Sequence, residues 1–316
     1  MNTLKKAIAL MSLALLCLGL FSGCVPRTAA ADPDKLQVVA TIFPPYDFAR
    51  QIGGENAQVT MLLPPGTESH SYDPTPQDIQ RIQNCDVFLY IGGHSDKWAQ
   101  DILDSIDTSG MQVIALTECV YLLEEENVEG MQQEPGEEAV HEEDAHVWTS
   151  PANAMQIVTA IGDAMIEADP EHAAAYEQNR KAYLEELLAL DRQLQDIVSH
   201  SQRTTLLFGD RFPFRYLAEQ YGLSYYAAFP GCASQTEPSA ATLAFLIDKA
   251  KAEDFPIVFH MEFSNEKVAD VICEATGAQK RLLHSCHNVT KDEFDRGETY
   301  LSLMEQNAAN LKEALS

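Results

Sequence analysis

DPEHAAAYEQNRKAYLEELLALDRQLQDIVSH, residues 169–200, is the stretch on which the fold turns. Asp169-Pro170 opens a helix, with proline where the first turn needs no N–H. Behind it Tyr176, Tyr183, Leu187, Leu190, Leu194 and Ile197 recur at helical spacing and make one apolar stripe. About thirty residues at 1.5 Å rise make a rod of about 45 Å. The stripe is shorter than the sustained heptads of a coiled coil. A rod of this length with a single apolar face is suited to bracing two bodies.

Both flanks of the rod read as strands alternating with helices. Upstream, Leu36–Thr41, Val59–Leu63, Val87–Ile91 and Gln112–Leu116 are β-rich, with helical stretches at Pro45–Gly53 and Pro76–Asn84. Downstream, Thr204–Phe208, Ser224–Phe229, Pro256–His260 and Arg281–His284 read as strands. Ser239–Ala252, Asn265–Thr276 and Asp292–Leu315 read as helices. Such alternation predicts parallel sheets covered by helices. The fold class expected is therefore α/β: two Rossmann-like lobes with parallel sheets, residues 36–168 and 201–316, joined by a long rigid helix over 169–200. In open sheets of this kind ligands sit at the carboxyl ends of the strands, here in the cleft between lobes. One segment breaks the pattern. Residues 118–144 carry eleven acidic side chains and no Lys or Arg, with Pro135-Gly136 inside, and read as a solvated, mobile acidic loop. Ser150-Pro151 then starts a helix with Ile157, Val158, Ile161 and Met165 on one face.

The first residues carry an address. Lys5 and Lys6 precede an apolar run from Ala7 to Phe21, followed by Ser22-Gly23-Cys24. A basic start, a short apolar core and small residues before a cleavage point make a signal peptide, residues 1–23. The run of about fifteen residues is short for a membrane span, which needs about twenty. Residues 24–35 read as a polar tether. The remainder, roughly 290 residues, is enough for two domains. With 46% hydrophobic residues the chain is globular, and no second long apolar run is present. A net charge of -27 argues against nucleic-acid binding and suits attraction of cations. Apart from Cys17 and Cys24, the cysteines are Cys85, Cys119, Cys232, Cys273 and Cys286, an odd number without C-x-x-C spacing.

The histidines fall at strand ends and loop mouths. His70 follows the second strand through Pro64-Pro65-Gly66. His146 lies between the acidic loop and the helix opened by Pro151. His260 and His284 end downstream strands, and His287 lies three residues beyond. Neutral imidazole is the commonest side-chain ligand for a borderline metal, and a closed site needs about four donors. No H-E-x-x-H, G-x-S-x-G or phosphate-binding loop is present, so a hydrolase is disfavoured and no enzymatic activity is expected.

Two motifs carry a family resemblance. Gly66-Thr67-Glu68-Ser69-His70-Ser71-Tyr72-Asp73-Pro74-Thr75-Pro76 resembles the G-x-x-x-H-x-[FYW]-[ED]-P-[ST]-P motif of the metal-specific (cluster A-I) ABC-transporter solute-binding proteins. Asp144-Ala145-His146-Val147-Trp148-Thr149-Ser150-Pro151 resembles their D-P-H-x-W-x-[SD]-P. Leu20-Phe21-Ser22-Gly23-Cys24 is similar to a bacterial lipobox. The resemblance spans nearly the whole mature chain. It implies lipidation at Cys24, anchorage outside the bacterial cell membrane through lipid only, and a metal held between the lobes. It implies delivery of that metal by a monomer to an ABC-transporter permease. His70 and His146 carry over as metal ligands.

The downstream half departs from the family pattern. Zinc-binding members have a third His in H-D-A-[FY]-x-Y before Y-G-L. Here the string is Gly209-Asp210-Arg211-Phe212-Pro213-Phe214-Arg215-Tyr216 before Tyr221-Gly222-Leu223. Counting back from Tyr221 places Arg211 at the His position; counting on from the strand places Gly209 there. Arginine has no lone pair to give; Asp210 is the alternative donor, and Asp210 or Glu237 is the expected partner of Arg211. The family's other two ligands are a Glu and an Asp after strands. Phe259-His260-Met261-Glu262 is one residue out of step with the first, so either His260 or Glu262 serves there. His284 falls on the Asp position within His284-Ser285-Cys286-His287. The expected metal set is His70, His146, His284 and Glu262, with His287 and His260 as secondary candidates. Three or more nitrogens with at most one carboxylate suit Zn2+; two His with two carboxylates would suit Mn2+ or iron. A surface adhesin is the remaining alternative, with no repeat or stalk-like composition to support it. His141 is a candidate for collecting metal within the acidic loop, and His94 for a structural or exposed position at the rim.

Overall fold

A computed structural model of the chain describes residues 32–67, 72–93, 96–132, 143–231, 233 and 237–316. The signal peptide, Cys24, His70, His94 and His141 lie outside the described residues. Asp34–Ser316 packs as one compact unit.

The upstream sheet is built from β1 (Leu36–Ala40), β2 (Ala57–Met61), β3 (Val87–Tyr90) and β4 (Gln112–Ala115), all parallel, in the order β2-β1-β3-β4. β3, Val-Phe-Leu-Tyr, is buried at every residue. That is the signature of a strand covered on both faces. The covering helices on this side are α1 (Phe43–Gly53), α2 (Pro76–Gln83), α3 (Lys97–Leu103) and α4 (Pro151–Ala168). Three of these four starts have a local cause. Pro44 or Pro76 sits in the first turn of α1 and α2, and Thr75 closes a capping box with Asp78 on α2. The Ser150 hydroxyl accepts from the Asn153 N–H at the head of α4.

The rod, α5, spans Ala173–Ser199, with a short 3-10 turn at Pro170–His172 before it. Its Tyr176, Tyr183, Leu187, Leu190 and Leu194 are buried, as the periodicity predicts. At 1.5 Å per residue it is about 40 Å long. α5 packs on α1 and α4, on α6 (Arg215–Tyr221) and on α10 (Tyr300–Ala314), so one apolar core runs from the upstream sheet into the downstream half. Polar ties fix it: Asn179 Nδ2 donates to the Ile52 carbonyl (2.9 Å), and Asp191 accepts from Gln220 (2.5 Å) and Tyr221 (2.9 Å).

Downstream, β5 (Thr205–Leu207) pairs with β7 (Ser224–Tyr226), and β9 (Ile257–His260) with β10 (Gln279–Leu282), again parallel. A bridge between Phe208 and Phe259 links the two pairs. β6 (Arg211–Phe212) lies against β8 (Phe229–Pro230). The helices are α6, α7 (Ala240–Ala252), α8 (Lys267–Thr276), α9 (Lys291–Arg296) and α10.

Several expectations are corrected. The last strand ends at Leu282, so His284 lies past its end. The helix expected over Asp292–Leu315 is two helices, because Gly297 takes the left-handed conformation (φ 75°) and reverses the chain. The acidic segment is not solvated throughout. Met131 is buried, and Val120, Leu122, Leu123 and Val128 pack on the core. The Gln132 N–H bonds the Ala228 carbonyl (2.9 Å). Apolar residues between the acids supply the anchoring that net charge conceals. Among the described residues no helix is long and apolar enough to cross a membrane.

Candidate metal centre

The His146 arm is held from both sides. The Asp144 N–H donates to the Leu123 carbonyl (2.9 Å), and its own carbonyl accepts the Tyr216 hydroxyl (2.7 Å). Asp144 Oδ1 then accepts both the His146 backbone N–H (2.7 Å) and the ring Nδ1 (2.9 Å). A carboxylate at Nδ1 fixes the proton there and leaves the lone pair on Nε2. The His146 carbonyl is closed off by the Thr149 N–H (3.1 Å) and hydroxyl (2.8 Å). Asp144 is buried and its Oδ2 has no hydrogen-bond partner. An orphan carboxylate oxygen behind an imidazole is suited to a positive charge in front of it.

The second arm is the turn after β10. Asn307 brackets His284, its Oδ1 accepting the backbone N–H (2.8 Å) and its Nδ2 donating to the carbonyl (2.7 Å). The ring of His284 faces inward. Nδ1 accepts the Cys286 N–H (2.9 Å), and Nε2 lies 3.7 Å from Glu293 Oε2. That contact with His284, helped by the Thr290 amide and hydroxyl against burial, brings the Glu293 carboxyl down to about 2. Cys286 adopts φ 61°, a left-handed conformation rare for a residue with a side chain, and the chain reverses. The reversal presents His287 edge-on to Trp148 (centroids 5.1 Å) and to His146 (5.6 Å). Trp148 Nε1 locks the turn by donating to the Ser285 carbonyl (2.8 Å). Beyond it, Asn288 Nδ2 bonds the carbonyls of Pro64 (2.8 Å) and Thr67 (2.9 Å), and Gly66 N–H bonds Val289 O (2.8 Å). The segment leading to His70 is thereby tied to this turn.

His146, His287, Glu262, Arg211, Thr67 and Asn288 face a common cavity of about 20 Å³. Glu262 is buried in its wall. Its Oε2 accepts the Ser285 N–H (2.9 Å) and its Oε1 the Ser285 hydroxyl. Gly231 gives the cavity its close side: a methyl there would lie 3.1 Å from the Phe212 carbonyl and 3.4 Å from His146 Cε1.

Of the residues the sequence nominates, His146, Glu262 and His287 meet at this cavity. His284 stands behind Glu262, with Nδ1 3.8 Å from Oε2, and is not in the lining. His260 ends β9 with Nδ1 3.0 Å from the Met261 carbonyl, also outside the lining. Arg211 is in the wall, whereas Gly209 packs against Ala269, where a methyl would come within 2.6 Å of backbone. Asp210 spends its oxygens on the N–H groups of Arg211 (2.8 Å) and Met261 (3.1 Å). Sequence reasoning missed the roles of Asp144, Trp148 and Asn288. The Asp-x-His spacing was the available signal for the first; the others depend on contacts across the chain. Among the described residues no group of three His, Cys, Asp or Glu is placed to hold a metal ion.

Comparison with known proteins gives the family. Residues 38–314 match the family described as "Zinc-uptake complex component A periplasmic". The zinc-binding lipoprotein AdcA of Streptococcus pneumoniae is 33% identical over 309 residues, covering 98% of this chain and 61% of AdcA. The chain therefore spans about three-fifths of that relative's length. The high-affinity zinc uptake system protein ZnuA of Bacillus subtilis is 32% identical over 290 residues, covering 91% of this chain and 90% of ZnuA. The crystal structure of the Zn(II)-bound ZnuA-like domain of S. pneumoniae AdcA superposes with a TM-score of 0.74 at 31% identity, covering 89% of this chain and 99% of that domain. A match that runs through both sheets, the rod and the two histidine arms makes this chain a member of the zinc-uptake component A family.

Proposed function

We propose that the protein captures zinc outside the membrane, anchored by a lipid on Cys24, and delivers it to the permease of an ABC importer. The observation that carries this reading is the meeting of His146, its Nδ1 pinned by Asp144, with His287 at the wall of one cavity. Relatives named for zinc binding and zinc uptake support the choice of metal. So does a donor set rich in neutral nitrogen. We assign His70, which follows the lining residue Thr67 in the sequence, as the third imidazole. Glu262 is the nearest carboxylate, and His284 acts behind it as a support for the turn. Capture proceeds by the metal meeting His70 and His146, with His287 completing the imidazole set from the downstream half. Docking on the permease then distorts that set and releases the ion.

The role is binding and not catalysis. The test is elemental analysis of the purified protein followed by zinc and manganese competition. The reading predicts stoichiometric zinc that manganese does not displace; a protein that takes up manganese in preference, or neither metal, contradicts it.

A further inference from the structure

The His146 arm belongs by sequence to the upstream half, yet α6 (Arg215–Tyr221), an element of the downstream half, grips it twice. Tyr216 and Gln220 are four residues apart and so share one face of that helix. The Tyr216 hydroxyl donates to the Asp144 carbonyl (2.7 Å) and accepts the Leu123 N–H (3.2 Å). The Asp144 N–H donates in turn to the Leu123 carbonyl (2.9 Å), and an antiparallel bridge joins Glu124 to Glu143 just beyond. One hydroxyl thus clasps both strands at the stem of the acidic segment, two residues before His146. Tyr216 is buried, so its donor and an acceptor lone pair are both used inside the protein.

Gln220 grips the other end of the arm. Its Oε1 accepts the Ser150 hydroxyl (2.5 Å) and the Ala152 N–H (3.3 Å), while its Nε2 donates to Asp191 of the rod (2.5 Å). Between the two grips α6 packs on the 3-10 turn Val147–Thr149 that follows His146. Tyr300, also downstream, adds a tie from its hydroxyl to the Trp148 carbonyl (2.7 Å). Asp144, whose backbone Tyr216 holds, is the residue whose carboxylate contacts His146 Nδ1 (2.9 Å). A displacement of α6 therefore moves that carboxylate, and the ring with it.

We propose that Tyr216 and Gln220 are positioning residues for the metal ligand His146, so that the downstream half sets the affinity of a donor supplied by the upstream half. This rests on the metal-binding reading above. Both side chains act through the backbone and hydroxyl groups of residues 144–152, and the Asp144 carboxylate passes the effect to the imidazole.

The experiment measures zinc affinity by chelator competition, and thermal unfolding of the metal-free protein, for Tyr216→Phe and Gln220→Met, each alone and combined with His146→Ala. Tyr221→Phe is the control: it removes from the same helix a hydroxyl that donates to Asp191 (2.9 Å). Tyr216→Phe is expected to lower zinc affinity on the order of tenfold, and Gln220→Met somewhat less. In the His146→Ala background both losses are expected to shrink to within about twofold, because the ring they position is gone. Tyr221→Phe is expected to lower the unfolding temperature and to leave zinc affinity within about twofold of wild type. If Tyr216→Phe does not fold, Gln220→Met decides by the same cycle. Wild-type affinity in the positioning variants, the same losses with and without His146, or an equal loss in Tyr221→Phe overturns the proposal while zinc binding stands. Wild-type affinity in His146→Ala overturns the metal reading as well.

Discussion

Asp144→Asn isolates the electrostatic part of the site at almost constant shape. In the wild type one oxygen takes both the His146 N–H (2.7 Å) and the ring Nδ1 (2.9 Å), and the other oxygen is buried without a partner. Asparagine keeps an acceptor for Nδ1. It removes the negative charge behind the ring and puts an amide N–H2 where the orphan oxygen stands. Two consequences follow. The carboxylate no longer raises the basicity of the metal-facing Nε2, which lowers metal affinity by about 10–100-fold, or about 1.4–2.8 kcal/mol. The amide hydrogens, confined where Asp144 is 1% exposed, cost roughly 1–3 kcal/mol of stability. Zinc competition reads the first and thermal unfolding of the metal-free protein reads the second. Asp169→Asn is the control. Asp169 also contacts a His Nδ1, that of His172 at 2.7 Å, but on the half-exposed start of the rod, so zinc affinity should not change. If Asp144→Asn folds and binds zinc as tightly as wild type, His146 is not held as a ligand in the way argued.

Other perturbations separate the parts. His287→Ala should lower zinc affinity at least as much as Asp144→Asn with little effect on stability; His284→Asn should do the reverse, because it disrupts the Cys286 and Glu293 contacts; equal zinc losses would refute the distinction. Trp148→Phe leaves the Ser285 carbonyl without its donor and should cost roughly 1–3 kcal/mol in urea unfolding. Asp47, fully buried and accepting the Tyr300 N–H (2.8 Å), has its pKa raised by burial to about 6 from 3.8. The folded state therefore binds the extra proton between those values, and its stability falls as pH rises through that window. Asp47→Asn should stabilise the protein by roughly 1–3 kcal/mol above the window and leave it nearly unchanged below. The same difference on both sides of the window would refute the assignment.

The rod was legible because its stripe obeys one period over its whole length; all of the stripe is buried except Ile197, which is half-buried against the core. The parallel strands were legible as short β-rich runs alternating with helices. α6 escaped because seven residues ending at Gly222 (φ 65°) carry too few apolar repeats to stand out. The choice between His284 and His287 escaped for a different reason. Spacing from a strand end points to His284, whereas the left-handed turn at Cys286 brings His287 to the cavity lining. That turn is held by Asn307, Glu262 and Trp148, each far away in sequence. His146 was legible as a candidate donor, whereas the cavity it shares with Arg211 exists only once β6 and β8 pair.

The most direct test of the central claim is a crystal structure of the zinc-loaded protein with anomalous data at the zinc edge. The account predicts one strong peak in the cavity between the His146 and His287 rings, within bonding distance of His146 Nε2, with His70 turned onto it. A peak on His284 and Glu293, or one confined to the acidic segment with the His146–His287 cavity dark, would contradict it.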